Sequence, residues 1–281
     1  MRIINTETIK NAVEELFIKA NYILPQSIKN RIDECILEEN NDLAKSVLNK
    51  LNRNMDVSKE IDVPVCQDTG MAVLFIEIGN EVYLEGEALE VVVNKGVAAA
   101  YSNGYLRKSV VKDPLFNREN TTDNTPAIIH TRIVEGDKVK LVAAPKGFGS
   151  ENMSAMKMFT PSATKEDIIS FVVDTVRNAG GNPCPPIVVG VGLGGDFEYC
   201  AYLSKKALTR DIDKRNSNEN YAHLEENILS RINNLDIGPQ GFGGKTTALA
   251  VNVEYFPTHI AGLPCAVNIG CHVTRHASCV I

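Results

Sequence analysis

Hydrophobic residues recur with helical spacing over the first fifty residues of the chain. The first apolar face starts after Thr6 and comprises Ile9, Val13, Leu16, Phe17 and Ala20. Pro25 is placed to end this helix. A second stripe comprises Ile28, Ile32, Cys35, Ile36, Leu43, Val47 and Leu51. The spacing predicts a further helix that buries Cys35 as a small core residue, followed by a polar stretch at 52–60.

Alternating or continuous apolar runs predict strands in the middle and at the end of the chain. The expected strands are 72–78, 127–134, 138–144, 187–191, 247–254 and 264–270. A turn-like segment, VPVCQDTG at 63–70, precedes the first of them. Glu135, Gly136 and Asp137 form the expected turn between the second and third. Glycines at 190, 192, 194 and 195 are expected to form a tight turn after the fourth.

Further helices are expected between and after these strands. They cover 89–101, a segment from the capping box Thr164–Asp167 to Gly180, then 196–208 and 220–234. A glycine-rich loop is expected at 238–244. No internal repeat or low-complexity linker interrupts the pattern. We therefore expect a mixed α/β fold, with helices packed around mixed β-sheets in a single domain over residues 1–281.

Composition narrows the class of protein. The chain has 281 residues, 44% hydrophobic and 23% charged, which is enough to bury a sizeable core and excludes disorder. The net charge of −6 and the lack of a basic run argue against a nucleic-acid partner. No apolar run approaches the ~18 residues of a membrane span, and the N-terminus resembles an amphipathic helix rather than a signal peptide. The expected compartment is the cytoplasm, where the seven cysteines are reduced thiols or metal ligands.

Two glycine-rich segments imitate phosphate-binding motifs. Residues 190–195 fit the dinucleotide pattern G-x-G-x-x-G, and Asp211 and Asp213 follow at roughly the ribose-binding distance. The downstream sequence lacks the repeated strand–helix units of a dinucleotide fold, which favours a general anion site at a helix N-terminus over dinucleotide binding. Residues 238–247 imitate a Walker A loop, but Pro239 occupies the position that requires glycine.

Three cysteines lie in or beside turns marked by glycine or proline: Cys66, Cys184 and Cys271. Thiolates in such loops can point into one cavity, and a proline after cysteine is typical of iron–sulfur ligands. Three ligands leave one iron of a [4Fe-4S] cluster without a protein ligand, and such an iron is a Lewis acid for a hydroxyl or carboxylate. The separations match no ligand rule, so three ordinary thiols are the alternative at this point.

Six longer strings occur in order along the chain: VCQDTGMAV, NTPAIIH, PKGFGSENMSAMKM, GNPCPP, GFGGKTTALAVNVEYFPTHIAGLP and CHVTRH. Together they resemble the iron–sulfur (class I) fumarate hydratase family, in its α subunit or N-terminal half. The related tartrate dehydratases share these strings. The resemblance spans roughly residues 5 to 281.

The resemblance implies a [4Fe-4S] cluster with one iron lacking a protein ligand, held by Cys66, Cys184 and Cys271. The other four cysteines, Cys35, Cys200, Cys265 and Cys279, are then structural or incidental. Gln67 and Asp68 match a family pair that faces the substrate. For Asp68 a proton relay competes with an Asx-turn cap before Thr-Gly.

Three more positions match family site residues. Arg107 corresponds to an arginine that binds a substrate carboxylate, for which the planar bidentate guanidinium is suited. Gly149 corresponds to a position where the backbone approaches substrate. His259 corresponds to an active-site histidine paired with the catalytic acid. The roles of Lys245, Arg275 and His276 stay open between substrate contact, subunit interface and structure.

The implied activity is that of a hydro-lyase α subunit that interconverts fumarate and (S)-malate. The chain stops after CHVTRHASCVI, where single-chain relatives continue. A separate β subunit is therefore implied, which supplies the base for the C3 proton in an α2β2 assembly. The alternatives are an L(+)-tartrate dehydratase or methylfumarate (mesaconate) hydratase α subunit, or a non-catalytic iron–sulfur binding or sensing protein.

Overall fold

The computed structural model describes residues 1–281, and both helices and strands occur along the whole chain. The helices are α1 (Thr6–Tyr22), α2 (Gln26–Glu38), α3 (Asp42–Glu60), α4 (Leu89–Asn103), α5 (Phe148–Glu151), α6 (Lys165–Ala179), α7 (Phe197–Ala207) and α8 (Glu219–Asn233). The strands are β1 (Arg2–Asn5), β2 (Met71–Gly79), β3 (Val82–Glu85), β4 (Ile128–Val134), β5 (Val139–Lys146), β6 (Ala155–Phe159), β7 (Ile187–Gly195), β8 (Ala248–Thr258), β9 (Leu263–Gly270) and β10 (Ala277–Val280). The expected mixed α/β fold is confirmed.

Internal contacts divide the chain into two compact units. The first unit comprises residues Met1–Leu24, Met55–Phe148 and Arg275–Ile281, and the second comprises Pro25–Asn54 and Gly149–Thr274. Each unit has its own sheet and its own apolar core. The prediction of a single domain over residues 1–281 stays a prediction. None of the helices combines the length and the apolar character that a bilayer span requires.

The first unit is built on a four-stranded sheet in the order β10-β5-β2-β4, beside a two-stranded parallel sheet of β1 and β3. The predicted strands at 127–134 and 138–144 form as β4 and β5, but they do not pair with each other. Strand β2 lies between them, parallel to β4 and antiparallel to β5. Apart from Glu77 it is apolar and largely buried on both faces, as is typical of a central strand. Helix α1 buries its predicted apolar face in the core of this unit.

The second predicted stripe forms two helices rather than one. Asn41 interrupts it because its side chain accepts hydrogen bonds from the N–H groups of Leu43 and Ala44, at 3.0 and 3.1 Å, and so starts α3. The buried face of α3 then contains Ala44 and Leu48, while Leu43 is exposed. The expected polar stretch at 52–60 is the continuation of α3. The apolar spacing alone predicts one continuous helix, and the side-chain cap at Asn41 starts a new one.

The second unit is built on a four-stranded sheet in the order β6-β9-β7-β8. Strand β7 runs parallel to β8 and antiparallel to β9. Helices α6 and α8 contribute to the apolar core on this sheet. The predicted capping box is confirmed, since Thr164 and Asp167 bond each other's backbone at the start of α6. Helix α6 ends at Gly180, as expected.

The glycines predicted as a turn lie inside strand β7 instead. An ideal Cβ at Gly190 would lie 2.1 Å from the carbonyl oxygen of Ser204, and one at Gly192 would lie 2.0 Å from that of Cys200. Both oxygens belong to α7, whose backbone therefore rests directly on the strand. Close helix–strand packing explains the glycine spacing that imitates a dinucleotide motif.

The outer edge of β8 is capped by side chains. Asn233 accepts from the Ala248 N–H at 2.8 Å and donates to the Ala248 carbonyl at 3.2 Å. Further along, the carboxylate of Glu225 accepts from the Val253 N–H at 2.8 Å, and the Asn216 amide donates to the Val253 carbonyl at 2.8 Å. These side chains occupy the positions that a neighbouring strand would bond.

Candidate functional site

The loop at 63–70 connects α3 to β2 in the first unit and carries Cys66, Gln67 and Asp68. Asp68 uses both carboxylate oxygens on the backbone. One oxygen accepts from the Gly70 N–H at 3.0 Å, and the other accepts from the Phe148 N–H at 3.1 Å. The Asx turn offered by the sequence is therefore present, and the same carboxylate ties the loop to the start of α5.

Tyr101 and Arg275 hold the backbone of this loop. The buried hydroxyl of Tyr101 lies 3.0 Å from the carbonyl oxygen of Thr69 and 2.7 Å from that of Gly70. Burial raises the pKa of the Tyr101 hydroxyl, so the group stays protonated and can donate. The guanidinium of Arg275 donates to the carbonyl oxygen of Asp68. The Gly70 carbonyl also accepts from the side-chain amide of Asn124 at 3.2 Å, so side-chain donors reach three consecutive carbonyl groups.

Arg107 lies next to the same loop. Its backbone carbonyl accepts a hydrogen bond from the Thr69 hydroxyl at 3.1 Å. The residue is exposed, and no carboxylate pairs with its guanidinium in the structure, in contrast to Lys112 nearby, which pairs with Glu119. The first unit therefore brings Arg107 to the loop that carries Cys66, Gln67 and Asp68. An exposed cation of this kind is suited to bind an anionic ligand.

Cys184 and Cys271 lie on neighbouring segments of the second unit. The N–H of Cys184 donates to the Gly181 carbonyl at 3.1 Å, and the residue has a positive φ of 56°. Its own carbonyl accepts from the N–H of His272 at 3.3 Å and lies 3.1 Å from Nδ1 of the same residue. The residue after Cys271 thus anchors the backbone of Cys184.

Gln240 is a second anchor that sequence reasoning missed. Its backbone N–H and its side-chain amide both lie 2.7 Å from the carbonyl oxygen of Pro185, the residue after Cys184. Gln240 belongs to the glycine-rich segment that imitates a Walker A loop, and Gly241 packs against Gly181. The sequence shows the glycine-rich loop and the candidate ligand turn separately, but it does not show that they are in contact.

Gly149 and His259 also lie in the second unit. An ideal Cβ at Gly149 would meet only the Asn182 carbonyl oxygen, at 3.9 Å, so the surrounding space is open. His259 lies in the exposed turn after β8, where Nδ1 accepts from the Ala261 N–H at 3.1 Å. Its Nε2 therefore carries the proton when the ring is neutral. Asp68, its expected partner, belongs to the first unit.

Two of the three residues with open roles have structural contacts. Lys245 donates from its side chain to the Glu38 carbonyl at 3.2 Å, and its N–H donates to the Glu39 carboxylate at 2.8 Å. A cation at the last carbonyl groups of α2 stabilises that helix end. Arg275 is buried and bonds Asp68, as described above, and His276 is partly buried beside it.

The seven cysteines differ in environment, and none is in a disulfide. Burial raises the thiol pKa of Cys35, Cys200, Cys279 and, to about 12, Cys265. Cys184 is exposed, and Cys66 and Cys271 are partly exposed. Neither unit by itself gathers three or more His, Cys, Asp or Glu side chains into a metal-binding group. The three candidate ligands are nevertheless soft thiol donors outside the apolar cores, which is the chemistry an iron–sulfur cluster requires.

Comparison with known proteins identifies the family. The family model described as fumarate hydratase (Fumerase) matches residues 10–280. The chain is 40% identical over 276 residues to a Methanocaldococcus jannaschii protein provisionally named L(+)-tartrate dehydratase subunit alpha, with 96% of each chain covered. It is 31% identical over 232 residues to the L(+)-tartrate dehydratase subunits alpha of Escherichia coli and Shigella sonnei, with 81% of this chain and 76% of each relative covered. The chain therefore belongs to the fumarate hydratase (Fumerase) family and is a hydro-lyase.

Proposed function

We propose that this hydro-lyase is the cluster-binding α subunit of an enzyme that interconverts fumarate and (S)-malate. The observation that supports this proposal is the loop at 63–70 in the first unit. There, a thiol, an amide and a carboxylate follow one another on a loop whose Thr69 bonds the Arg107 backbone at 3.1 Å. A dicarboxylate needs a cation and hydrogen-bond donors at fixed positions, and Arg107 and Gln67 supply both.

Each site residue has a defined task in this proposal. Arg107 binds one substrate carboxylate through its planar guanidinium, and Gln67 donates a hydrogen bond from its amide. Gly149 leaves room for the substrate, because the space around it is open in the second unit. Asp68 and His259 handle the hydroxyl proton, with His259 donating or accepting at Nε2 because Nδ1 is bonded to the Ala261 N–H.

The proposed ligands of a [4Fe-4S] cluster are Cys66, Cys184 and Cys271. When bound, such a cluster supplies a Lewis-acidic iron that has no protein ligand. The chain's own contribution is to hold the ligand turns: His272 and Gln240 bond the backbone of Cys184 and Pro185. The proton on C3 of malate needs a base, which we assign to a separate β subunit in an α2β2 assembly. The relatives named as subunits alpha support a separate partner.

The cluster is tested by electron paramagnetic resonance of the anaerobically reconstituted full chain after mild oxidation. A three-cysteine cluster loses its open iron and gives a three-iron signal, which disappears when iron and reductant are added. We expect this signal in the parent and in Cys279→Ala, whose thiol is also partly exposed. We expect its loss in Cys184→Ala. An equal signal in both variants would remove Cys184 from the ligand set.

L(+)-tartrate is the second candidate substrate, and the names of the relatives favour it. Tartrate differs from malate by one additional hydroxyl, so one scaffold can serve both. The complex of the chain with its β partner should be assayed with fumarate, (S)-malate, L(+)-tartrate and mesaconate under anaerobic conditions. A larger kcat/KM for fumarate and malate supports the first proposal, and a larger value for tartrate replaces it.

A further inference from the structure

We propose that Arg275 and Tyr101 are positioning residues that hold the loop at 66–70 in its active geometry. Neither residue was assigned a role by the motifs, and neither is a proposed contact of substrate or cluster. The catalytic part of this inference rests on the proposed function. Its mechanical part, that the two side chains fix the loop through its carbonyl oxygens, holds for the chain alone.

The first argument is that the bonds are consecutive. Arg275 bonds the carbonyl oxygen of Asp68, and Tyr101 lies at 3.0 and 2.7 Å from the next two, of Thr69 and Gly70. Loop carbonyl groups of this kind usually bond water, which leaves the backbone free to move. Side chains that are themselves locked in a core impose one conformation instead.

Asn124 adds a further bond from the same unit. It is fully buried, donates to the Gly70 carbonyl at 3.2 Å and accepts from the Ser109 N–H at 2.7 Å. Ser109 lies two residues after Arg107. The same buried amide therefore connects the loop to the segment that carries the proposed carboxylate-binding arginine.

The second argument is the unusual state of Arg275. The residue is only 4% exposed, but the acceptor bonded to its guanidinium is a backbone carbonyl and not a carboxylate. Its Nε is buried without a hydrogen-bond partner. Burial raises the pKa of the Tyr101 hydroxyl, and Arg275 and Asp68 act on the same pKa in opposite directions, so both charges lie near that hydroxyl. A buried guanidinium bonded to a backbone carbonyl fixes that carbonyl more strongly than a neutral donor does.

The mechanical part is tested on the chain without cluster or partner, by hydrogen–deuterium exchange of the 66–72 peptide and by the alkylation rate of Cys66. In Tyr101→Phe we expect both rates to rise by roughly fivefold, the size expected for one lost hydrogen bond. Tyr22→Phe is the matched control, because its hydroxyl donates to a backbone carbonyl of the same unit, that of Gly104, at 3.1 Å. Equal rates in the two variants would overturn the proposal.

The catalytic part is tested in the reconstituted complex with the β partner. Tyr101→Phe should lower kcat by roughly tenfold while KM changes less than threefold, since positioning acts on the reacting geometry more than on ground-state binding. Arg275→Lys should retain more kcat than Arg275→Gln, because the charge and a donor are kept. A fall in kcat that matches a fall in folded fraction for both Arg275 variants would reduce the residue to a structural role. If no cluster forms in the parent, the exchange experiment still decides the mechanical part.

Discussion

Gly149 is a glycine that its surroundings do not require. It lies in α5, and an added Cβ would make one ordinary contact, with the Asn182 carbonyl oxygen at 3.9 Å. Replacement by alanine should therefore leave the melting temperature within about 2 °C of the parent, because alanine favours helix over glycine. If the backbone here faces substrate, the same methyl group should reduce kcat/KM for the dicarboxylate by tenfold or more, about 1.4 kcal/mol.

Gly262→Ala is the control for this experiment, since an added Cβ there meets nothing within 4 Å. It should leave both stability and kcat/KM unchanged. Unchanged kcat/KM in Gly149→Ala as well would show that substrate does not approach Gly149.

The buried thiol of Cys265 is expected to make the free energy of unfolding depend on pH in the alkaline range. Burial raises its thiol pKa from the ordinary value near 9 to about 12. The folded state then holds its proton more tightly than the unfolded state. The stabilisation is complete below pH 9 and is lost as the pH rises towards 12, by about 1.4 kcal/mol per pH unit. Urea unfolding between pH 8 and 10.5 should show this slope reduced in Cys265→Ala.

Val267→Ala provides the comparison, because it also shortens a buried side chain of β9 but removes no titratable group. It should lower the free energy of unfolding equally at every pH, so that the dependence of this free energy on pH has the same slope as in the parent. If Cys265→Ala and Val267→Ala have the same slope, the thiol does not titrate as its burial requires.

The candidate site was predictable from the sequence only where neighbouring residues define it. The Asx turn at Asp68 follows from the Asp-Thr-Gly string itself, and the structure contains it. The resemblance placed Arg107 in the site, and the structure brings its backbone to the same loop. Gln240 was missed and the role of Arg275 was left open, because they act on carbonyl groups 55 and 207 residues away and no local pattern encodes such a contact.

At the scale of elements, the buried ion pair of Glu225 and Arg210 beside the edge of β8 is sensitive to mutation. Glu225 is fully buried, pairs with Arg210 and accepts from the N–H groups of Val253 and Asn216 at 2.8 and 3.1 Å. Glu225→Gln removes the buried counter-charge of Arg210, which then keeps its pair with the partly exposed Glu254 at 3.2 Å. We expect a loss of about 1.5–3 kcal/mol in the free energy of unfolding, the size of a lost hydrogen bond to a charged group, measured by urea titration.

Glu226→Gln tests whether this loss is specific. Glu226 is the next residue of α8, it is exposed, and its contact is with His223 at 3.6 Å. Its replacement should change the free energy of unfolding by less than about 0.5 kcal/mol. A similarly small effect at Glu225 would mean that the Glu225–Arg210 pair makes no net contribution to the free energy of unfolding.

The elements themselves were largely predictable, and their pairing was less so. Long periodic segments such as α1 and α6 formed as expected, because their apolar faces and caps are local. The short strands β1, β3, β6 and β10 were missed, since four or five residues carry too little alternation to recognise. The glycines of β7 were misread as a turn because what they accommodate, the backbone of α7, lies elsewhere in the sequence.

At the scale of the whole molecule, a bound cluster should stabilise the chain. A ligand that binds only the folded state raises the free energy of unfolding by about 2.7 kcal/mol at a concentration 100 times its dissociation constant. For a protein of this size that corresponds to a rise of several degrees in the melting temperature. Anaerobic reconstitution should produce this rise in the parent but not in Cys184→Ala. Treatment of the parent with an oxidant and an iron chelator should reverse it.

Two outcomes would contradict this expectation. An equal rise in Cys184→Ala would place the bound iron elsewhere, and a rise that survives chelation would show that iron is not its cause. Cys200→Ala is a further control, since its buried thiol is not a proposed ligand.

The capped edge of β8 also bears on how the protein behaves at high concentration. An open strand edge is a template onto which a strand of another molecule can add, and ordered aggregates grow in this way. At Ala248 and Val253 the outward backbone groups already bond Asn233, Glu225 and Asn216. At these two positions an added strand would have to displace side chains that are already bonded, so we expect Asn233→Ala to open the edge at Ala248 and to shorten the lag time of aggregation.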